Sequence, residues 1–172
     1  MSVLDTPMFC YQCEQTSHCT GCTTIGTCGK TPETAALQDV MVQIVKGLSQ
    51  YGHRLRQLGV SEQALNDKTL EALFITLTNV NFDAGEHVTY IESLLSLLQQ
   101  VRTQYENKCF ELGKSPEFIE GPLQNVLTLD AKNEIALLEY AKSVSIPERF
   151  KKSDPDIASL EEMLTYGIKG MA

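Results

Sequence analysis

Much is missing from this 172-residue sequence, and each absence removes a class of function. No run of about 18 apolar residues occurs, so no helix is expected to span a membrane. Lysine and arginine number 14 against 22 aspartates and glutamates, a formal charge of −8, and no basic stripe offsets the excess. Nucleic acid and anionic lipid are therefore poor partners. The opening residues, Met1-Ser2-Val3-Leu4-Asp5-Thr6-Pro7, lack both the basic region and the apolar core of a secretory leader. The expectation is a soluble, unexported, cytoplasmic protein. There is no internal repeat, no low-complexity tract and no convincing strand pair. Paired carboxylates, a Ser/His/Asp set and a phosphate-binding glycine loop are likewise missing, so the chain shows no conventional catalytic site of its own.

What is present is enough apolar residue for a core, 42% of the chain, arranged mainly at helical spacing. Residues 1–7 read as a flexible tail. Residues 8–30 are rich in Cys, Gly and Thr and have no helical or strand period, so something other than a core must fix their fold. Residues 31–172 read as a helical bundle. Thr31-Pro32-Glu33 has the pattern of an N-cap, a first-turn proline and a first-turn acid, and Leu37, Val40, Met41, Ile44, Val45, Leu48 and Leu55 follow on one face until Gly59. A second helix is expected after Asp67, with Leu70, Leu73, Phe74 and Leu77 on one face. A third opens at Asp83-Ala84-Gly85-Glu86, a capping-box spacing, and runs to Gly113. Residues 114–129 read as a loop with a short turn near Leu123 to Leu127. A helix from Ala131 to Val144 should end before Pro147. A last helix, capped by Asp154-Pro155, carries Ile157, Leu160, Leu164 and Ile168 and is expected to run to Ala172 without a glycine stop, as in a chain truncated within an element.

Cysteine is unevenly distributed. Five of the six cysteines (Cys10, Cys13, Cys19, Cys22 and Cys28) lie between positions 10 and 28, and Cys109 stands apart. Three chemistries could use such a cluster. Disulfides suit oxidising compartments and small cores, which this sequence does not suggest. Zinc could be held by the Cys10/Cys13 and Cys19/Cys22 pairs, although their five-residue spacer is well below the roughly 12 to 20 of zinc ribbons and fingers. An iron–sulfur cluster needs several thiolates on a loop whose small residues let the backbone wrap closely, and Gly21, Gly26, Gly29 and the threonines Thr16, Thr20, Thr23, Thr24 and Thr27 supply one. Spacing alone leaves open which of the five is spare.

Phe9-Cys10-Tyr11-Gln12-Cys13-Glu14-Gln15-Thr16, followed by Gly21-Cys22-Thr23 and Gly26-Thr27-Cys28-Gly29-Lys30, closely resembles the N-terminus of the hybrid cluster proteins, also called prismane proteins or hydroxylamine reductases. The resemblance continues through Glu33-Thr34, Leu37-Gln38-Asp39, Thr76 to Asp83, Leu160 and Leu164 to Ala172, nearly the whole chain. It implies a Cys-x2-Cys-x8-Cys-x5-Cys set, here Cys10, Cys13, Cys22 and Cys28, holding a 4Fe-4S cluster, with Cys19 an extra thiol. It implies electron relay from a reduced electron donor protein toward a second, hybrid 4Fe-2O-2S cluster, where hydroxylamine is reduced to ammonia and water and nitric oxide is a further candidate substrate. The His, Glu and Cys ligands of that second cluster belong to later domains, so it is not expected here. Two other readings remain: a zinc-stabilised helical binding module, and a free-standing small electron carrier.

The remaining candidates have plainer expected roles. Cys109, four residues after Tyr105 on an apolar row, is expected to pack like a small hydrophobe. His18 reads as an exposed loop residue, and His53 and His87 as isolated helical histidines. Thr78-Asn79-Val80-Asn81 suits helix capping. Gly47 and Gly52 within a helix point to close approach of a neighbour. Glu161-Glu162 reads as a solvated face. The amides of Gly21, Gly26 and Gly29, with Lys30 and the helix start at Thr31, are expected to stabilise a reduced cluster.

Overall fold

The computed structural model describes residues 8–78, 80–118 and 121–172. They form six helices: α1 (Pro32–Gln57), α2 (Gln63–Leu77), α3 (Ala84–Glu111), α4 (Glu134–Val144), α5 (Ile146–Lys152) and α6 (Pro155–Lys169). The described residues contain no strand, only one isolated antiparallel bridge between Cys10 and Cys22. The mainly helical expectation holds.

Helix α1 forms the centre of the bundle. Thr31 accepts a hydrogen bond from the Thr34 amide and Pro32 occupies the first turn, so the start is set by local chemistry. Gly59, at φ 79°, and Gly113, at φ 66°, follow the ends of α1 and α3 in the left-handed conformation that glycine adopts without strain. Between these signals Leu37, Val40, Met41, Ile44, Leu48 and Leu55 are buried against Ile91, Leu94, Leu98, Val101, Tyr105 and Cys109 of α3, with Leu137 and Ala141 of α4 and Leu65 and Leu73 of α2 completing the core. Each large side chain buried here contributes about 2 kcal/mol. Cys109 is a core residue, as expected. Gly47 and Gly52 mark close approaches: a Cβ at Gly47 would meet Leu98 at 3.5 Å, and one at Gly52 would lie 2.8 Å from Leu65.

Four expectations need correction. Helix α2 begins at Gln63, before Asp67, because burial of Leu65 carries the first turn although Glu62 makes no side-chain cap. Of its expected face, Leu73 is buried whereas Leu70 and Phe74 are largely exposed. Helix α4 begins at Glu134, capped by Asn133, and Pro147 opens a short helix rather than merely ending one. Helix α6 stops at Lys169 with Gly170 as its cap, and its apolar row of Ile157, Leu160, Leu164 and Ile168 faces outward, while Ala158, Glu162 and Lys169 are buried. The 114–129 connection contains a 3-10 stretch, Gly121–Thr128. Asp83 caps α3 through the Glu86 amide, and Asn81 accepts from the Asp83 amide and donates to Glu86, so this segment does cap a helix. Asn79 lies outside the described residues.

Candidate cofactor site

The cysteine loop is folded by its own backbone. Cys10 and Cys22 donate to each other's carbonyls at 3.0 and 2.8 Å, and Cys22 packs with Met8 and Ala35 in a small cluster that Cys10 flanks. Between them Ser17–Cys19 forms a 3-10 turn in which His18, at φ 53°, and Cys19, at φ 57°, are both left-handed and exposed. The Thr16 hydroxyl donates to the Cys13 carbonyl at 2.7 Å, fixing the turn behind the first cysteine pair.

The glycine amides do not point as the sequence suggested. Gly21 donates to the Ser17 carbonyl, Gly26 to Lys30 and Gly29 to Gly26, at 3.3, 2.8 and 2.8 Å, so loop closure uses these donors. The positive charge comes instead from a side chain. Lys30 is 1% exposed, and its ammonium donates to Gln38 Oε1 at 2.8 Å and to Cys10 Sγ at 3.8 Å, with the Phe82 ring centroid 5.8 Å away. Gln38 Nε2 lies 3.2 Å from His87 Nε2, and His87 Nδ1 lies 2.7 Å from the Asp83 carbonyl oxygen. The thiol of Cys22 is held below its ordinary pKa by backbone hydrogen bonds from Ser17 and Thr27, helped by the Thr27 hydroxyl and the Lys30 charge, against the opposing effect of burial.

A second polar layer joins the loop to α6. Tyr11 donates to Glu162, Glu162 pairs closely with Arg149, and Lys169 donates to Gln12 Oε1 at 3.3 Å. Glu162 is therefore a buried anchor rather than a solvated surface acid, because Tyr11 and Arg149 occupy its two oxygens from different elements. Burial pushes Asp39 up to about 6, against the charges of Lys169, Arg149, Lys30 and Lys46. Burial likewise pulls Lys169 down to about 8, and Asp39 opposes that shift. Little in the sequence marks Gln38, Asp39, His87, Arg149 and Lys169 as parts of one assembly. The available signal was a polar pair, Gln38-Asp39, interrupting the apolar row of α1, and Glu162 and Lys169 seven residues apart on one face of α6.

Of the predicted ligands, Cys10 and Cys22 are brought side by side, while Cys13 and Cys28 lie half-buried in the same loop. Among the described residues no three His, Cys, Asp or Glu side chains are gathered in metal-binding geometry. None of the six cysteines forms a disulfide. The donor set nevertheless suits a thiolate-held anionic group: a buried ammonium needs a counter-charge, and among the described residues Lys30 makes no ion pair with a carboxylate. His53, bonded to Gln57, is exposed and remote from this loop.

The fold and the cysteine loop together define a class. The chain belongs to the Prismane/CO dehydrogenase family, which matches residues 8–171. Among curated relatives it is 41% identical over 165 residues to the hydroxylamine reductase of Rhodospirillum rubrum, and 39% identical over 169 residues to that of Acidithiobacillus ferrooxidans. The hydroxylamine reductase of Thermosipho melanesiensis is 38% identical over 172 residues. In each case the match covers 96% of this chain, and the chain spans about 30% of the relative's length. No helix among the described residues is long and apolar enough to cross a membrane.

Proposed function

We propose that this chain is the electron-relay part of a hydroxylamine reductase, with Cys10, Cys13, Cys22 and Cys28 as the ligands of a 4Fe-4S cluster and Cys19 outside the set. A cluster of this kind, when bound, exchanges single electrons. The chain's own residues prepare for it: the Cys10–Cys22 bridge pairs the backbones of two of the cysteines, the hydrogen bonds to Cys22 favour its thiolate, and Lys30 supplies positive charge from within. Reduction of hydroxylamine to ammonia and water takes two electrons and two protons. In this reading the electrons come from a reduced donor protein, and hydroxylamine or nitric oxide reacts at a second iron site that residues outside this chain complete. The protein would work in the cytoplasm, in nitrogen metabolism.

The observation that carries the reading is the buried ammonium of Lys30, which makes no ion pair with a carboxylate among the described residues, against the Cys10 sulfur. Anaerobic reconstitution tests it. The expected result is about four iron and four acid-labile sulfide per chain, with thiolate-to-iron absorption and a paramagnetic signal on reduction. Cys13→Ser or Cys28→Ser should lose the iron, and Cys19→Ser should keep it. Stoichiometric zinc without sulfide would overturn the reading.

A further inference from the structure

We infer that Lys30, locked in place by Gln38 and His87, is a built-in counter-charge that sets the reduction potential of the group held at Cys10 and Cys22; the inference rests on the cluster reading above.

Its basis is a chain of hydrogen bonds in which each partner forces the next. An ammonium can only donate, so the side-chain atom of Gln38 facing Lys30 must be its oxygen. The Gln38 amide nitrogen then faces His87 and must donate to Nε2, which makes Nε2 the acceptor. The ring hydrogen is left on Nδ1, where the Asp83 carbonyl accepts it at 2.7 Å. Asp83 is itself the cap of α3, so the arrangement is anchored on the start of a long core helix. Lys30, Gln38 and His87 are 1%, 5% and 2% exposed, so water does not compete for any link. Among the described residues the relay leaves the ammonium one further hydrogen-bond acceptor, the Cys10 sulfur at 3.8 Å.

A fixed charge in such a place is costly to bury unless something negative answers it. The neighbouring charges make the point stronger. Lys169, Lys46 and Arg149 also act on Asp39 from around the floor of the loop, so Asp39 is already shared among several cations and is not reserved for Lys30. Lys30 lies against Cys10, whose backbone is paired with that of Cys22. One-electron reduction would add negative charge to a cluster held there, and a fixed positive charge nearby would favour that state and raise the potential. Gln38 and His87 act as positioning residues: they hold the charge in place and contribute none themselves.

The test is an anaerobic redox titration of the reconstituted chain, followed by the paramagnetic signal of the reduced state, together with thermal unfolding of the metal-free protein. Lys30→Met should lower the midpoint potential, and Lys30→Arg should restore most of the shift. Gln38→Glu, which sets a carboxylate against Lys30, should lower the potential while leaving Lys30 present. Metal-free Lys30→Met should melt close to the wild-type temperature, because removal of a buried charge offsets the loss of its hydrogen bond to Gln38. A folded Lys30→Met chain that loses iron which Lys30→Arg retains also supports the assignment. Unchanged potentials in Lys30→Met and Gln38→Glu at full iron content would overturn it, as would a large drop in the melting temperature of metal-free Lys30→Met, which would make Lys30 a structural residue. If the wild-type chain itself takes up no iron and sulfide, the cluster reading fails first, and that result is distinct from all of these.

Discussion

The phenol of Tyr11 donates a 2.6 Å hydrogen bond to Glu162, joining residues 151 positions apart. Tyr11 stands between the first two predicted ligands and Glu162 stands on α6, so one bond ties the cysteine loop to the last helix. The ring of Tyr11 also stacks on Tyr166 of the same helix, with centroids 6.0 Å apart.

Tyr11→Phe removes the bond and keeps the stacking, and it should cost about 1.5 kcal/mol. Glu162→Ala should cost more, about 3 kcal/mol, because it leaves Arg149 without its main partner in a half-buried setting. Chemical denaturation of the two variants checks the order.

The polar floor predicts an unusual pH dependence. Burial raises Asp39 from 3.8 to about 6, so through that window the folded chain keeps a proton that the unfolded chain has released. Its contribution to stability therefore falls as pH rises from about 4 to 6. Lys169 is lowered from 10.5 to about 8; across that interval the unfolded chain holds the extra proton, and stability rises with pH. The combined contribution is lowest between about 6 and 8. Asp39→Asn should abolish the acid limb and Lys169→Met the alkaline one, as read from melting temperatures across pH.

The two glycines of α1 should respond oppositely to alanine. At Gly47 a Cβ makes an ordinary 3.5 Å contact with Leu98, so Gly47→Ala should gain up to about 1 kcal/mol from helix propensity. At Gly52 it would lie 2.8 Å from buried Leu65, and Gly52→Ala should lose at least that much through displacement of α2. Thermal melts separate the two.

Helix α6 exposes Ile157, Leu160, Met163 and Leu164, each more than half accessible. A contiguous apolar row of this kind favours association. The chain is expected to sediment as a concentration-dependent mixture, and the double substitution of Leu160→Lys with Leu164→Lys should shift it to monomer with a stability change of only about 0.5 kcal/mol.

The same helix shows where sequence reasoning stops. Its apolar period was legible, but periodicity identifies a face without saying what covers it, and here the buried side is the polar one because Tyr11 and Gln12 lie there. The ends of α1 and the start of α3 were legible because their caps are local: Thr31 to Thr34, Asp83 to Glu86. The start of α2 was not, since Glu62 makes no side-chain cap and tertiary burial of Leu65 decides the matter. The cysteine spacing marked the site, and Lys30 could be noticed beside it. Its burial depends on Gln38, and Gln38 depends on His87, 49 positions further on, which no local pattern reveals.

The bridge between Cys10 and Cys22 also bears on repair. Two sulfurs on a flexible loop would drift apart once an inorganic centre was lost, and regathering them would carry the entropy of closing the loop again. Here two backbone hydrogen bonds pair Cys10 with Cys22, a closure that is made by the polypeptide itself. If the proposed cluster is held there, that part of the loop would not have to be closed anew each time the cluster is lost and replaced.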